Sequence, residues 1–254
     1  MSGIHVEQFF YESNGHRVEG WLARPENLQG KLPVIVWNRG GYGDYGLLTQ
    51  DSVARWMGKI AAWGYIVIGS QYSGNGQSEG KDELGGQEIQ DVLNIYPIIQ
   101  KLPGADLERI GMYGPSRGGM TTYLALPNAP WVKAVVILGG LSNAVRWYDN
   151  NPLMRFKIAL AGIAIEKKEL EARSAILWAD RFSKTTPILL LHGKADTDIS
   201  VEDSIEIAKE FEKYGVPHKL ELFEGGDHRL STHREERDRL TREWFDHHLK
   251  NPHN

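Results

Sequence analysis

The chain has 254 residues, 41% of them hydrophobic and 24% charged, with a formal net charge of −4. This length suits one large α/β domain or two small ones, and the weak negative charge leaves no electrostatic case for nucleic acid or an anionic membrane surface as a partner. There is no cysteine, which excludes disulfides, thiolate metal sites and a cysteine nucleophile. Met1 to Glu7 lacks a basic segment followed by an apolar one, and no apolar run could span a bilayer. A cytoplasmic location is the expectation, and a homo-oligomer is left open.

In chain order, the alternating runs Val6–Tyr11 and Arg17–Ala23 flank Asn14-Gly15, a strong signal for an antiparallel hairpin. After Pro33 the pattern changes. Val34–Trp37, Tyr65–Ile68, Ile110–Tyr113, Ala134–Leu138, Ile188–Leu191 and Lys219–Phe223 are short, mostly continuous apolar runs. Such runs suit strands buried on both faces of a parallel sheet. Helices are expected between them at 49–63, 85–102, 118–125, 201–214 and 233–250. In the fourth, Val201, Ile205, Ala208 and Phe211 form the expected apolar face. Strands alternating with helices predict a doubly wound, mostly parallel sheet in a single domain, 1–254.

The stretch Leu141 to Thr186 is far longer than an ordinary connection. It carries Trp147, Tyr148, Met154, Phe156, Ile158, Leu160 and Ile163. A helical insertion at 142–183 is expected, either as a lid over the carboxyl end of the sheet or as packing helices. As a lid it would line a substrate pocket with Trp147, Tyr148 and Phe156.

Gly114-Pro115-Ser116-Arg117-Gly118-Gly119 follows one strand and opens a helix. The pattern G-x-S-x-G needs small residues because a sharp turn pushes the serine side chain out of the fold. A serine hydroxyl is a weak nucleophile unless a base takes its proton and a carboxylate orients the base. Two further loops supply those groups at strand ends, where open α/β sheets place their sites. Lys194-Ala195-Asp196-Thr197-Asp198 follows the run at 188–191, and Gly225-Gly226-Asp227-His228 follows the last run. Asp196 is the favoured acid and Asp198 its rival. Of nine histidines, His228 alone joins a post-strand loop, flanking glycines and the order Ser, Asp, His. His192 reads as a brace for the acid loop, and Asp227 as a loop-shaping residue.

Negative charge developing on a tetrahedral intermediate needs backbone N–H donors already aimed at it. One is expected from Arg117. The other is expected from the loop Asn38-Arg39-Gly40-Gly41-Tyr42-Gly43, with Gly41 favoured and Tyr42 the alternative donor or a pocket wall. Gly74 to Gly80 lacks the G-K-[ST] ending of a phosphate loop and reads as a surface loop. No metal-ligand spacing is present, so neither a metal nor a cofactor is expected.

At these residues the chain resembles the α/β-hydrolase catalytic domain of the prolyl oligopeptidase family, over roughly Leu32 to Lys250. The marks are Arg39-Gly40-Gly41-Tyr42, Gln71-Tyr72-Ser73-Gly74-Asn75-Gly76, Gly85 to Val92, Asp106 to Gly111, the serine turn, His192 to Asp196, and Asp227-His228. The resemblance implies an α/β-hydrolase fold, with Ser116 as nucleophile, Asp196 as orienting acid and His228 as base. Arg39 stands where that family carries a histidine, and only about thirty residues precede the sheet, without room for a β-propeller. The expectation is therefore a serine hydrolase cleaving carboxylic esters or small acyl and aminoacyl bonds through an acyl-enzyme. The first alternative is an oligopeptidase or aminopeptidase acting on short peptides. The second is a non-catalytic binding protein on the same fold.

Overall fold

The structure, a computed structural model, describes residues 3–27, 29–160 and 165–250, with Met154 and Lys157 described by backbone alone. Ile163 and the side chain of Met154, both expected in the lid, lie outside the described residues.

Strands β1 (Ile4–Ser13) and β2 (His16–Pro25) form the hairpin around Asn14 and Gly15, and β2 pairs antiparallel with β4 (Ile66–Ser70). From there β3 (Leu32–Asn38), β5 (Ala105–Pro115), β6 (Val132–Leu138), β7 (Ile188–Gly193) and β8 (His218–Phe223) continue in parallel. The spatial order is β1-β2-β4-β3-β5-β6-β7-β8. This mixed α/β sheet with helices is the α/β-hydrolase fold expected.

The continuous apolar runs are explained by burial on both faces. In β3, Val34 and Val36 join one core while Ile35 and Trp37 join the other; in β7, Ile188 and Leu190 separate in the same way from Leu189 and Leu191. Successive side chains of a strand point to opposite faces, so a strand covered twice must be apolar at every position.

Helix α1 (Gln50–Ala61) begins at a reciprocal cap: Thr49 Oγ1 accepts from Ser52 N–H, and Ser52 Oγ accepts from Thr49 N–H. The helix expected at 85–102 is instead two short ones, α2 (Ile89–Leu93) and α3 (Tyr96–Ile99). Pro97 sits in the first turn of α3 and has no N–H to continue a helix from α2. Helix α4 (Arg117–Ala125) follows β5 directly. Between β6 and β7 lie α5 (Ala144–Asn150), α6 (Pro152–Leu160), α7 (Lys167–Ala172) and two short 3₁₀ turns. The chain closes with α8 (Glu202–Tyr214), α9 (Arg234–Phe245) and a π-helical turn over Asp246–Lys250.

The buried face of α8 differs from the expected one. Ile207, Ala208 and Phe211 are buried, together with Asp203 and Ser204, whereas Ile205 is half-buried. The face is rotated because Asp203 accepts hydrogen bonds from Ser142 N–H and Asn143 N–H, and Ser204 meets His192. Gly74 to Gly80 also departs from a simple surface loop. Asn75 is buried and donates to Asp82 Oδ2 at 2.9 Å.

Phe211 contributes the aromatic centre of α8, with Phe182 5.0 Å and Tyr123 6.4 Å away between ring centroids. Phe211→Ala is expected to destabilise the protein by about 3–5 kcal/mol, read as a lowered midpoint in urea unfolding followed by circular dichroism.

Candidate active site

Ser116 occupies the junction of β5 and α4 with φ 57° and ψ −126°. A non-glycine residue in the left-handed half of backbone space costs about 1–3 kcal/mol and persists only where its surroundings hold it. Here the Ser116 N–H donates to Leu138 O at 2.8 Å, and its carbonyl accepts from Gly119 N–H at 2.8 Å. The glycines are required by packing as well as by the turn. A Cβ on Gly118 would strike Asn38 O, and one on Gly114 would strike Gly118 O. Helix α4 thus lies against the ends of β3 and β5 at a distance no side chain allows.

The loops after β7 and β8 converge on Asp196. Its Oδ1 accepts from the N–H groups of Asp198 at 2.8 Å and Ile199 at 3.0 Å. Its Oδ2 meets His228 Nδ1 at 2.7 Å and His192 Nε2 at 3.1 Å. An ionised carboxylate only accepts, so both ring nitrogens carry hydrogen. His192 Nε2–H also faces Ile199 O at 3.1 Å, which leaves Nδ1 to accept from Ser204 Oγ–H at 2.7 Å. Burial alone would raise the Asp196 pKa. The hydrogen bonds from His192, His228 and the Ile199 N–H outweigh burial and hold the carboxyl well below the usual carboxylate range.

With Nδ1–H bound to Asp196, His228 presents Nε2 as the free basic nitrogen, and that ring is 17% exposed. Asp198 is not the partner of Nδ1. Its side chain is 67% exposed, and its Oδ2 lies 3.9 Å from His228 Nε2. No hydrogen bond between Ser116 Oγ and His228 is formed in this structure. The end of β6 links their surroundings through Gly139. A Cβ there would sit 3.2 Å from Asp196 Oδ2 and 3.3 Å from His228 Nδ1. The preceding residue, Leu138, accepts the Ser116 N–H. Sequence reasoning missed Gly139; the signal available was a glycine pair directly after an apolar strand.

The loop after β3 runs beside Ser116, since a Cβ on Gly40 would lie 3.3 Å from Ser116 Cβ. Among the described residues, the N–H groups of Gly41 and Tyr42 have no protein acceptor. The Arg117 N–H, at the first position of α4, has no intrahelical partner either. Arg39 does not face the cleft. It is buried, and its guanidinium donates to Gly40 O, Gly43 O, Tyr45 O and Gln71 O at 3.0–3.3 Å.

An apolar cluster of Leu84, Met120, Leu141, Ile158 and Ile199 gathers next to these loops, with Tyr42, Trp147 and Tyr148 half-buried against it. Phe156 is a correction. It is 60% exposed, and Ile158 is the residue of α6 that reaches the cluster. Two residues apart on a helix lie on nearly opposite faces, so α6 cannot bury both.

The prolyl oligopeptidase family model matches residues 50–252. The chain belongs to the prolyl oligopeptidase family. Its relatives include the uncharacterized peptidase YtmA of Bacillus subtilis, 27% identical over 84% of this chain and 82% of YtmA. YuxL, another uncharacterized peptidase of Bacillus subtilis, is 29% identical over 97% of this chain. Among solved structures, the acylaminoacyl peptidase of Pyrococcus horikoshii superimposes with a TM-score of 0.81 at 27% identity over 98% of this chain. This family member spans 39% of YuxL and 43% of that acylaminoacyl peptidase chain. Among its described residues no helix is long and apolar enough to cross a membrane.

Asp196 ionises more readily folded than unfolded, so its stabilising contribution is complete above about pH 4, the unfolded carboxyl value, and is lost as pH falls through the folded one. Asp196→Asn is expected to be less stable than wild type at pH 7, with the gap closing as pH drops from about 5 toward 2. Urea midpoints measured across that range check this; a gap independent of pH would contradict it.

Proposed function

We propose that this protein is a serine hydrolase of the peptidase type, cleaving acyl bonds of short peptides or acylaminoacyl compounds through an acyl-enzyme. The observation that carries the reading is the pairing of His228 Nδ1 with the buried Asp196 carboxylate at 2.7 Å, in loops adjoining the strained Ser116 turn. Ser116 Oγ attacks the carbonyl carbon while His228 Nε2 takes its proton. Asp196 holds the ring in the tautomer with Nδ1–H and stabilises the imidazolium as it forms. The Arg117 N–H and an N–H from Gly41 or Tyr42 receive the oxyanion. His228 then gives its proton to the leaving amine, and water releases the acyl group by the same steps in reverse.

The ester substrate first expected gives way to an amide. The support is family membership together with the peptidase names of YtmA, YuxL and the Pyrococcus enzyme. Trp147 and Tyr148, with Ile158 in place of Phe156, form an apolar wall for the acyl side chain, and segment 142–183 acts as the lid that carries it.

Two measurements test the reading. Ser116→Ala is expected to abolish cleavage of dipeptidyl and N-acylaminoacyl p-nitroanilides and labelling by a fluorophosphonate, with the circular dichroism spectrum unchanged. Turnover retained by that variant would sink the assignment, and wild type refusing the label would favour a binding protein. Turnover of p-nitrophenyl esters without any anilide cleavage would restore the ester reading. Asp196→Asn is expected to lower kcat by roughly 10⁴-fold. Its single amide oxygen is needed by the N–H groups of Asp198 and Ile199, so the NH₂ faces His228 and imposes the wrong tautomer.

A further inference from the structure

The side chain that follows Ser116 enters a buried ion cluster. Arg117 Nη1 donates to Asp82 Oδ2 at 2.7 Å, and Nη2 donates to Asp82 Oδ1 at 2.5 Å and to Glu88 Oε1 at 2.9 Å. The three side chains are 6%, 6% and 0% exposed. Each carboxylate is itself fixed. Asp82 accepts from Asn75 Nδ2 and from the Leu84 N–H, and Glu88 accepts from the N–H groups of Glu83, Gly85 and Gly86. Burying three charges is costly, and mutual pairing alone often only breaks even. The cluster therefore calls for an explanation beyond stability.

That explanation lies in one further bond. Arg117 Nη1 also donates to Gly41 O at 3.0 Å. The peptide bonds of the described residues are trans, and in a trans peptide the C=O and the following N–H point to opposite sides. With Gly41 C=O turned toward the guanidinium, the Tyr42 N–H is turned away from the buried ions. It has no protein acceptor among the described residues. The loop that carries it touches Ser116 at Gly40.

We propose that the Arg117 guanidinium, anchored by Asp82 and Glu88, is a positioning group that locks the Gly41–Tyr42 peptide so that the Tyr42 N–H is presented to the oxyanion. The proposal rests on the acyl-transfer reading of Ser116. One residue thus serves both halves of the oxyanion site, its own N–H directly and the Tyr42 N–H through its side chain. The guanidinium is needed because four bonds to three residues leave Nη1 and Nη2 in a planar fork. A lysine carries its charge on a single atom and cannot span Gly41, Asp82 and Glu88 at these distances. Arg39 supports the same loop independently through carbonyls at Gly40, Gly43 and Tyr45, so the loop keeps its course when Arg117 is altered. What Arg117 alone sets is one peptide plane.

The test uses Arg117→Lys and Asp82→Asn, two variants so that a folding failure in one leaves the other. Each is assayed with an N-acylaminoacyl p-nitroanilide, with a peptidyl boronate whose tetrahedral adduct fills the oxyanion site, and by fluorophosphonate labelling. Misplacing an oxyanion donor predicts a fall in kcat of roughly 10–100-fold, with KM within about twofold and boronate affinity falling in step with kcat. Either folded variant with unchanged kcat and boronate affinity overturns the proposal. So does a loss confined to KM or to the melting temperature, which is what a merely structural cluster would give. Failure of the underlying reading is distinguishable, because wild type itself would then show neither turnover nor label.

Discussion

A single buried carboxylate organises the carboxyl end of this sheet. Asp196 receives four donors, two from the backbone of its own loop and two from imidazoles on different segments. Each bond does a separate job. The Asp198 and Ile199 N–H groups shape the loop after β7. His192 ties that loop to α8 through Ser204, and His228 joins it to the loop after β8. A buried charge is tolerable only when its lone pairs are satisfied, so these contacts are mutually dependent. Of the four ring nitrogens of His192 and His228, only His228 Nε2 is left without a hydrogen bond.

The strain at Ser116 is the counterpart of that order. A serine at φ 57° is held by neighbours on β6 and α4, and the surrounding glycines let α4 close on the strand ends. Gly139 has the same role under the Asp196–His228 pair. Close approach at three places, Gly118 to the Asn38 carbonyl, Gly114 to the Gly118 carbonyl and Gly139 to the Asp196 carboxylate, removes the space that would let these groups drift. Rigid placement of these groups is what the proposed acyl transfer would require. The buried Arg117 cluster extends this stiffness to the loop after β3.

Much of this was legible in the sequence. The two-sided burial of β3, β4, β6 and β7 shows as continuous apolar runs, the hairpin as Asn14-Gly15 between alternating segments, and the serine turn as small residues around Ser116. These signals are local, because each strand or turn reports its own environment. Structure and expectation differ at a helix break and where a distant partner decides. Pro97 is a local signal, and it splits the helix expected at 85–102 into α2 and α3. The rotation of α8 depends on Ser142 and His192, which are remote in sequence. Phe156 and Ile158 both lie in the expected lid, and only the packed helix shows that Ile158 is the one turned inward.

The sequence by itself determined the fold class, the order of Ser116, Asp196 and His228 along the chain, and their positions just beyond strand ends. Periodicity and turn chemistry are sufficient for that. The sequence favours Asp196 over Asp198 as the acid, but only the folded loop shows the choice made, with Asp196 Oδ2 2.7 Å from His228 Nδ1 and the Asp198 side chain 67% exposed. Tertiary structure alone decided that Arg39 and Arg117 are buried braces, since an arginine is ordinarily read as exposed. Whether its charge is buried depends on carbonyls and carboxylates contributed by other loops, and no local pattern announces where those will meet.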